Sequence, residues 1–178
     1  MELSSMGKMV LYAMSFAVLG IAVYYDLRFR RIPNWLTFPA MIAGIIYHTY
    51  VGGIPNFLLS LSGLLVGFGV FVVFYMFGGM GAGDVKLMAA IGALIGPKDV
   101  LYAAAYTAIA GGIYAVILLA ARRENRTAFS RYGIMAKTFV MTGHFAPIPR
   151  DESMKTTPLC YGVAIAVGTI IVLVQRML

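Results

Sequence analysis

The chain has 178 residues, of which 12% are charged and 61% are hydrophobic, with a mean hydropathy of +0.85. Soluble domains carry about 25% charged and roughly 45–50% apolar residues, so this composition excludes a soluble enzyme and a disordered chain. The net charge is +7, and the basic residues lie in a few loops between long apolar runs. This pattern indicates how the chain is oriented in a membrane rather than nucleic-acid binding. The single cysteine, Cys160, excludes an intramolecular disulfide and a cysteine-based zinc site. We therefore predict an integral membrane protein.

Uncharged runs predict the membrane helices in chain order. These runs are Met9–Tyr25, Ile32–Gly83, Leu87–Pro97, Val100–Ala121 and Thr156–Gln175. A helix needs about 20 residues to cross the hydrocarbon core, so the second run is long enough for two helices. The glycines and proline of Val51–Asn56 predict a turn between helices near Trp35–Tyr50 and Asn56–Phe77. The first run continues into Tyr25–Arg28 without a small-residue cleavage site, so we predict a retained helix rather than a signal peptide.

The distribution of basic residues decides whether the short run Leu87–Pro97 spans the membrane. If it does, there are six helices, and the basic residues divide 11 against 3 between the two sides. If it does not, the division becomes 6 against 8. Because cytoplasmic loops carry the Lys and Arg excess, the first arrangement is favoured. We predict an all-α, polytopic membrane helix bundle with six transmembrane helices and both termini extracytoplasmic, in the cytoplasmic (inner) membrane.

The sequence predicts one membrane-embedded domain over residues 1–178, with a cytoplasmic loop at about 122–155. Apolar residues between Phe129 and Val140 recur at spacings of three and four, with Arg131 and Lys137 between them. This spacing is typical of a helix lying on the membrane surface, and a plain connecting loop explains it equally well.

Two acids are predicted at the same membrane face. Asp26 ends the first helix, and Asp84 begins the fourth after the glycine-rich run Gly78–Gly83. Two carboxyls close together at a low-dielectric boundary cannot both ionise readily, so they tend to share one proton. One can then act as a base on water while the other donates a hydrogen bond to a carbonyl oxygen, which is aspartic-protease chemistry. The alternative stays open that Asp84 is only a helix cap and Asp26 a solvated helix end beside arginines.

Two motifs resemble those of the type IV prepilin peptidases, including the archaeal preflagellin peptidases. Asp26–Asn34 (DLRFRRIPN) is similar to the first acidic motif of that family, and Gly81–Leu87 (GAGDVKL) is similar to its GxGD motif. The resemblance implies a membrane aspartic endopeptidase with Asp26 and Asp84 as the catalytic aspartates and Gly81 and Gly83 shaping the active-site loop. Lys86, Arg28 and Asn34 are candidates for substrate or charge support. Residues Pro158–Gly162 are only loosely similar to a proline–aromatic–glycine signal before the family's last helix.

The resemblance also implies what the enzyme acts on and what it lacks. The substrates would be prepilin-like or preflagellin-like proteins with a basic leader, a glycine before the cleavage point and an apolar helix in the lipid bilayer. The larger members carry paired CxxC motifs with an N-methyltransferase activity. Here the loop Asp26–Asn34 is short and Cys160 stands alone, so we expect the compact peptidase-only form. We expect no cofactor, no metal and no nucleic-acid partner, and the sequence does not predict the oligomeric state.

Two other functions are alternatives to a peptidase. A small transporter or proton-relay bundle predicts acids near the bilayer midplane, and a non-catalytic pilus or secretion assembly factor predicts an expendable acid pair. Gly63, Gly67, Gly92 and Gly96 could receive a substrate helix, although internal helix packing explains them better.

Overall fold

The structure is a computed structural model that describes residues 5–76, 79–121 and 161–178. Its helices are α1 (Ser5–Phe29), α2 (Asn34–Met76), α3 (Ala82–Ile95), α4 (Pro97–Ala121) and α5 (Tyr161–Met177). Within these three ranges the secondary structure is helical and contains no strand, which confirms the all-α fold class. The predicted surface helix between Phe129 and Val140, the rest of the loop at 122–155, and Cys160 lie outside the described residues.

Two of the described helices are long and apolar enough to cross a membrane. They are Met6–Phe29 and Asn34–Met76, with mean hydropathies of 1.8 and 2.5 in their most apolar windows. Only 33% and 22% of these windows are buried, so most of their apolar side chains face outward. A helix in the core of a soluble protein buries such residues, whereas lipid accepts them. The helices therefore support a membrane protein, and the six spans and their orientation stay predictions.

Helix α2 reverses direction in its middle, where the sequence predicts a turn. Gly53 has φ +61° and ψ −149°, a conformation that is reserved almost entirely for glycine. Gly44 and Gly63, on either side of it, both pack against residues 92–93 of α3. In a straight helix these two glycines would lie about 28 Å apart. The element therefore consists of two antiparallel limbs, 34–52 and 54–76, each close to the length of a membrane span.

Helix α3 is the centre of the described bundle. Ten of its fourteen residues are buried, and the two limbs of α2 pack along it. The close approach depends on glycine, because a Cβ on Gly63 would collide with the carbonyl of Gly92 and a Cβ on Gly67 with that of Met88. Ser60 Oγ donates a hydrogen bond to the Ala93 carbonyl at 2.7 Å, which ties the second limb to the same helix. These contacts give the glycines of α2 and α3 the internal packing role that the sequence favours.

The other helices complete the bundle around α3. Gly168 of α5 lies against the backbone and side chain of Thr107 in α4, so these two helices also approach at a glycine. Where α4 begins and α5 ends, Arg176 binds Asp99 at 2.6 Å in a partly exposed ion pair. This end of α5 is opposite the end that begins at Tyr161.

The chain divides into two compact units. The first comprises Met1–Gly112 and Leu159–Leu178, and it contains α1, α2, α3, most of α4 and α5. Of the second, Ile113–Pro158, the structure describes residues 113–121, which form the last turns of α4. The single domain over residues 1–178 stays a prediction.

Candidate active site

Asp26 lies in the last turns of α1 and is buried, with 6% of its surface exposed. Its Oδ2 accepts a hydrogen bond at 2.9 Å from the backbone N–H of Gly162, in the first turn of α5. Helix α1 ends at Phe29, one turn after Asp26, because Arg30 adopts φ +52° and its N–H bonds to the Asp26 carbonyl at 2.9 Å. This is a left-handed cap of the kind that commonly ends a helix, here at a residue other than glycine. The Asp26 carboxyl is therefore held between the end of one helix and the start of another.

Asp84 lies in the first turn of α3 and is 7% exposed. Its Oδ2 accepts a hydrogen bond at 3.0 Å from the N–H of Gly81, and its own N–H donates to the Gly81 carbonyl at 3.1 Å. This is the position at which an acid satisfies the unpaired N–H groups at a helix start. Gly81 is thus the N-cap residue of α3, and Asp84 caps the helix from the third helical position rather than as the N-cap that the alternative interpretation expected. The burial of Asp84 goes beyond what a cap requires.

The segment that follows α1 brings the two acids to one end of the bundle. Gly83 packs against this segment so closely that a Cβ on it would lie 3.1 Å from the Cβ of Ile32. Lys86 Nζ donates a hydrogen bond to Asn34 Oδ1 at 2.9 Å, which joins the first turns of α3 and α2. The start of α3 is thus attached to the chain just beyond Asp26. Gly83 and Asn34 act here as packing and bridging residues around the acid pair.

The burial of Asp84 at the start of α3 changes the pKa of its carboxyl. Asp84 lies outside both helices that are long enough to cross a membrane. Burial raises the pKa of the Asp84 carboxyl to about 6, against an opposing effect of the Gly81 hydrogen bond, and the charge of Asp26 raises this pKa as well. The contact of Gly83 with Ile32 and the bond between Lys86 and Asn34 place the two carboxyls at the same end of the bundle. The N-terminal ends of α3 and α5, with their partial positive charge, each place an N–H on one of them. Each acid thus accepts a hydrogen bond from a backbone N–H, which partly offsets its burial.

The remaining predicted side chains lie on the helices that carry the two acids or, for Asn34, at the start of α2. Lys86 lies 5.4 Å from the centre of the Phe38 ring in addition to its bond with Asn34. Arg28 is exposed in the last turn of α1, 5.8 Å from the centre of the Phe29 ring. Among the described residues, no three His, Cys, Asp or Glu side chains gather as a metal site would require. The catalytic and supporting roles of the named residues stay predictions.

Gly162 is a site residue that the sequence does not predict. The loose similarity of Pro158–Gly162 to a family signal pointed to this part of the chain, but not to a contact with Asp26. That contact joins residues 136 positions apart, and no local pattern or periodicity indicates it.

The sequence was compared with known protein families and proteins. The model of the type IV leader peptidase family matches residues 13–116, which include both acids and both motifs. The chain is 32% identical over 138 residues to the prepilin leader peptidase/N-methyltransferase of Xanthomonas campestris pv. campestris, covering 71% of this chain and 45% of that protein. It is 42% identical over 81 residues to the preflagellin peptidase of Methanocaldococcus jannaschii, covering 44% of this chain and 34% of that protein.

A third relative is the prepilin leader peptidase/N-methyltransferase of Aeromonas salmonicida. It is 27% identical over 116 residues, or 62% of this chain and 40% of that protein. The chain thus spans less than half the length of each of these relatives. No solved structure matches the sequence.

Proposed function

Because the chain belongs to the type IV leader peptidase family, we propose that it is a membrane aspartic endopeptidase that removes the leader peptide of prepilin-like or preflagellin-like proteins. The observation that carries this proposal is the pair of buried carboxyls, Asp26 and Asp84, at one end of the bundle. Each stands in a motif that resembles the family's, and each accepts a hydrogen bond from the start of a helix. The names of the relatives supply the substrate class.

The acid pair can hydrolyse a peptide bond without a cofactor. Two neighbouring buried carboxyls ionise in separate steps, so over a range of pH the pair carries one proton and one negative charge. The ionised carboxyl takes a proton from water, whose oxygen attacks the peptide carbon, while the protonated one donates a hydrogen bond to the carbonyl oxygen. Protonation of the departing amine then completes cleavage. The raised pKa of Asp84 extends its protonated state toward neutral pH.

The proposed topology places this chemistry where the substrate presents its cleavage site. With six spans, the basic loops and both acids lie on the cytoplasmic face of the cell membrane, and both termini lie outside. A prepilin-like substrate with its apolar helix in the bilayer has its leader at this boundary. The supporting residues in this proposal, which would stabilise charge or bind the substrate, are Lys86, Arg28 and Asn34. The short loop Asp26–Asn34 and the lone Cys160 favour cleavage without N-methylation.

Co-expression with a candidate prepilin tests the proposal. We expect the wild-type enzyme to shorten the prepilin, and Asp26→Asn and Asp84→Asn to insert into the membrane at normal levels but leave the leader uncleaved. Asp99→Asn is the matched control, because it removes an acid from the opposite end of the bundle, where its partner is Arg176. This variant should process the substrate normally. Processing at the wild-type rate by Asp26→Asn or Asp84→Asn would contradict the proposal and favour a transport or assembly role.

A further inference from the structure

Gly162 contacts Asp26 more closely than any residue with a side chain could. It lies in the first turn of α5 and is buried, and its N–H donates to Asp26 Oδ2 at 2.9 Å. A Cβ on Gly162 would lie 2.8 Å from that oxygen and 3.1 Å from both Cβ and Cγ of Asp26. Contacts below 3.0 Å essentially never occur for a real Cβ. Any side chain at position 162 must therefore displace the carboxyl of Asp26 or move the start of α5.

The hydrogen bond and the missing side chain act on the same carboxyl in two ways. The N–H belongs to the positive end of α5, and a hydrogen bond to a charged acceptor is stronger than one between neutral groups. It fixes the direction of Oδ2. The missing Cβ leaves the space in which the carboxyl sits. Gly162 therefore constrains the position of the Asp26 carboxyl through a direct contact.

We propose that Gly162 is a positioning residue that holds the Asp26 carboxyl in the geometry in which it works with Asp84. This inference rests on the proposed function, and it concerns a residue that lies outside the two acidic motifs. It predicts that even the smallest side chain at this position impairs the chemical step, while the substrate still binds.

Steady-state kinetics of purified full-length enzyme on a prepilin substrate test this prediction. We expect Gly162→Ala to lower kcat by about 100-fold, since a displacement of about 1 Å of a catalytic group has an effect of this size. KM should stay within about threefold, because the proposed role of Gly162 acts through Asp26 on the chemical step. Gly69→Ala is the matched control, because a Cβ there meets nothing within 4 Å, and its kinetics should equal those of the wild type. A kcat of Gly162→Ala within twofold of the wild-type value overturns the inference.

Thermal unfolding of the purified variants tests the contact independently of activity. Gly162→Ala should lower Tm in the wild-type background, and the loss should be at most half as large in the Asp26→Ala background, where Cγ and both oxygens are absent. Such a dependence of one substitution on the other reports a direct contact. An equal loss of Tm in both backgrounds overturns the inference, because the contact would then not be the source of the effect. If Gly162→Ala fails to fold, Asp26→Ala should restore folding, and failure in both backgrounds likewise overturns it.

The two proposals fail separately. If Asp26→Asn abolishes cleavage and Gly162→Ala does not, the positioning role is wrong while the proposed function stands. If Asp26→Asn cleaves normally, the proposed function is wrong, and the positioning role falls with it even where the thermal measurement shows the contact.

Discussion

Replacing Asp84 with Asn should stabilise the protein while it abolishes cleavage. The carboxyl has an ordinary pKa of 3.8 in the unfolded chain and a pKa of about 6 in the folded one, mainly because it is buried. Each pKa unit corresponds to about 1.4 kcal/mol, so the ionised side chain destabilises the folded state by roughly 3 kcal/mol. The folded state binds this proton more tightly than the unfolded state. The free energy of unfolding therefore falls as the pH rises from about 4 to about 6, and the full penalty is present at pH 7.

Asn at position 84 removes the titrating group, and its Oδ1 can still accept the hydrogen bond from Gly81. In detergent micelles we expect Asp84→Asn to unfold at a temperature several degrees above the wild type at pH 7, with a difference of up to roughly 3 kcal/mol. The difference should shrink as the pH is lowered toward 3, where the wild-type carboxyl is largely protonated in both states. Asp99→Asn is the control, because Asp99 belongs to a partly exposed ion pair worth at most about 1 kcal/mol, and its loss should not stabilise the protein. An advantage of Asp84→Asn that is absent at pH 7, or that does not change with pH, would refute this reasoning.

Three further experiments test the packing of the helix bundle and the bond between the starts of α2 and α3. Gly63→Ala should destabilise the fold by about 3 kcal/mol in chemical denaturation, because its Cβ collides with the Gly92 carbonyl. Gly69→Ala is the control, because a Cβ there meets no atom within 4 Å, and its stability should be unchanged or slightly higher. Gly53→Ala should destabilise by about 1–3 kcal/mol in the same assay, because φ +61° strains any residue with a side chain. A double-mutant cycle of Lys86→Ala and Asn34→Ala should give a coupling below about 1 kcal/mol, since their hydrogen bond is exposed. A much larger coupling would contradict this weak contribution to stability.

Local patterns in the sequence predict those parts of the fold that depend on neighbouring residues. The turn at Val51–Asn56 is an example, because glycine and proline there mark a break that the structure places at Gly53. Asp84 at the start of a helix is another, since the glycines before it and the apolar run after it indicate where that helix begins. For Gly63 and Gly92, the sequence predicts only that each lies on a helix face that packs closely against another helix. Glycines spaced four residues apart identify such faces, but they do not identify which two faces meet.

Contacts between distant residues could not be predicted in this way. The bond from Gly162 to Asp26 depends on how α5 packs beside α1, and neither segment carries a pattern that specifies the other. The burial of Asp84 likewise results from the enclosure of α3 by the two limbs of α2 and by α1 and α5. The motif alone places an acid at a helix start, where most acids are exposed.

The central claim is that Asp26 and Asp84 work as one unit, and the kinetics of single and double variants test it most directly. Purified wild type, Asp26→Asn, Asp84→Asn and the double variant should be compared on one prepilin substrate under single-turnover conditions. Groups that act as a unit are strongly non-additive, so we predict that each single substitution lowers the cleavage rate about as much as both together. Losses that multiply in the double variant, or a single variant that retains most of the rate, would contradict the account.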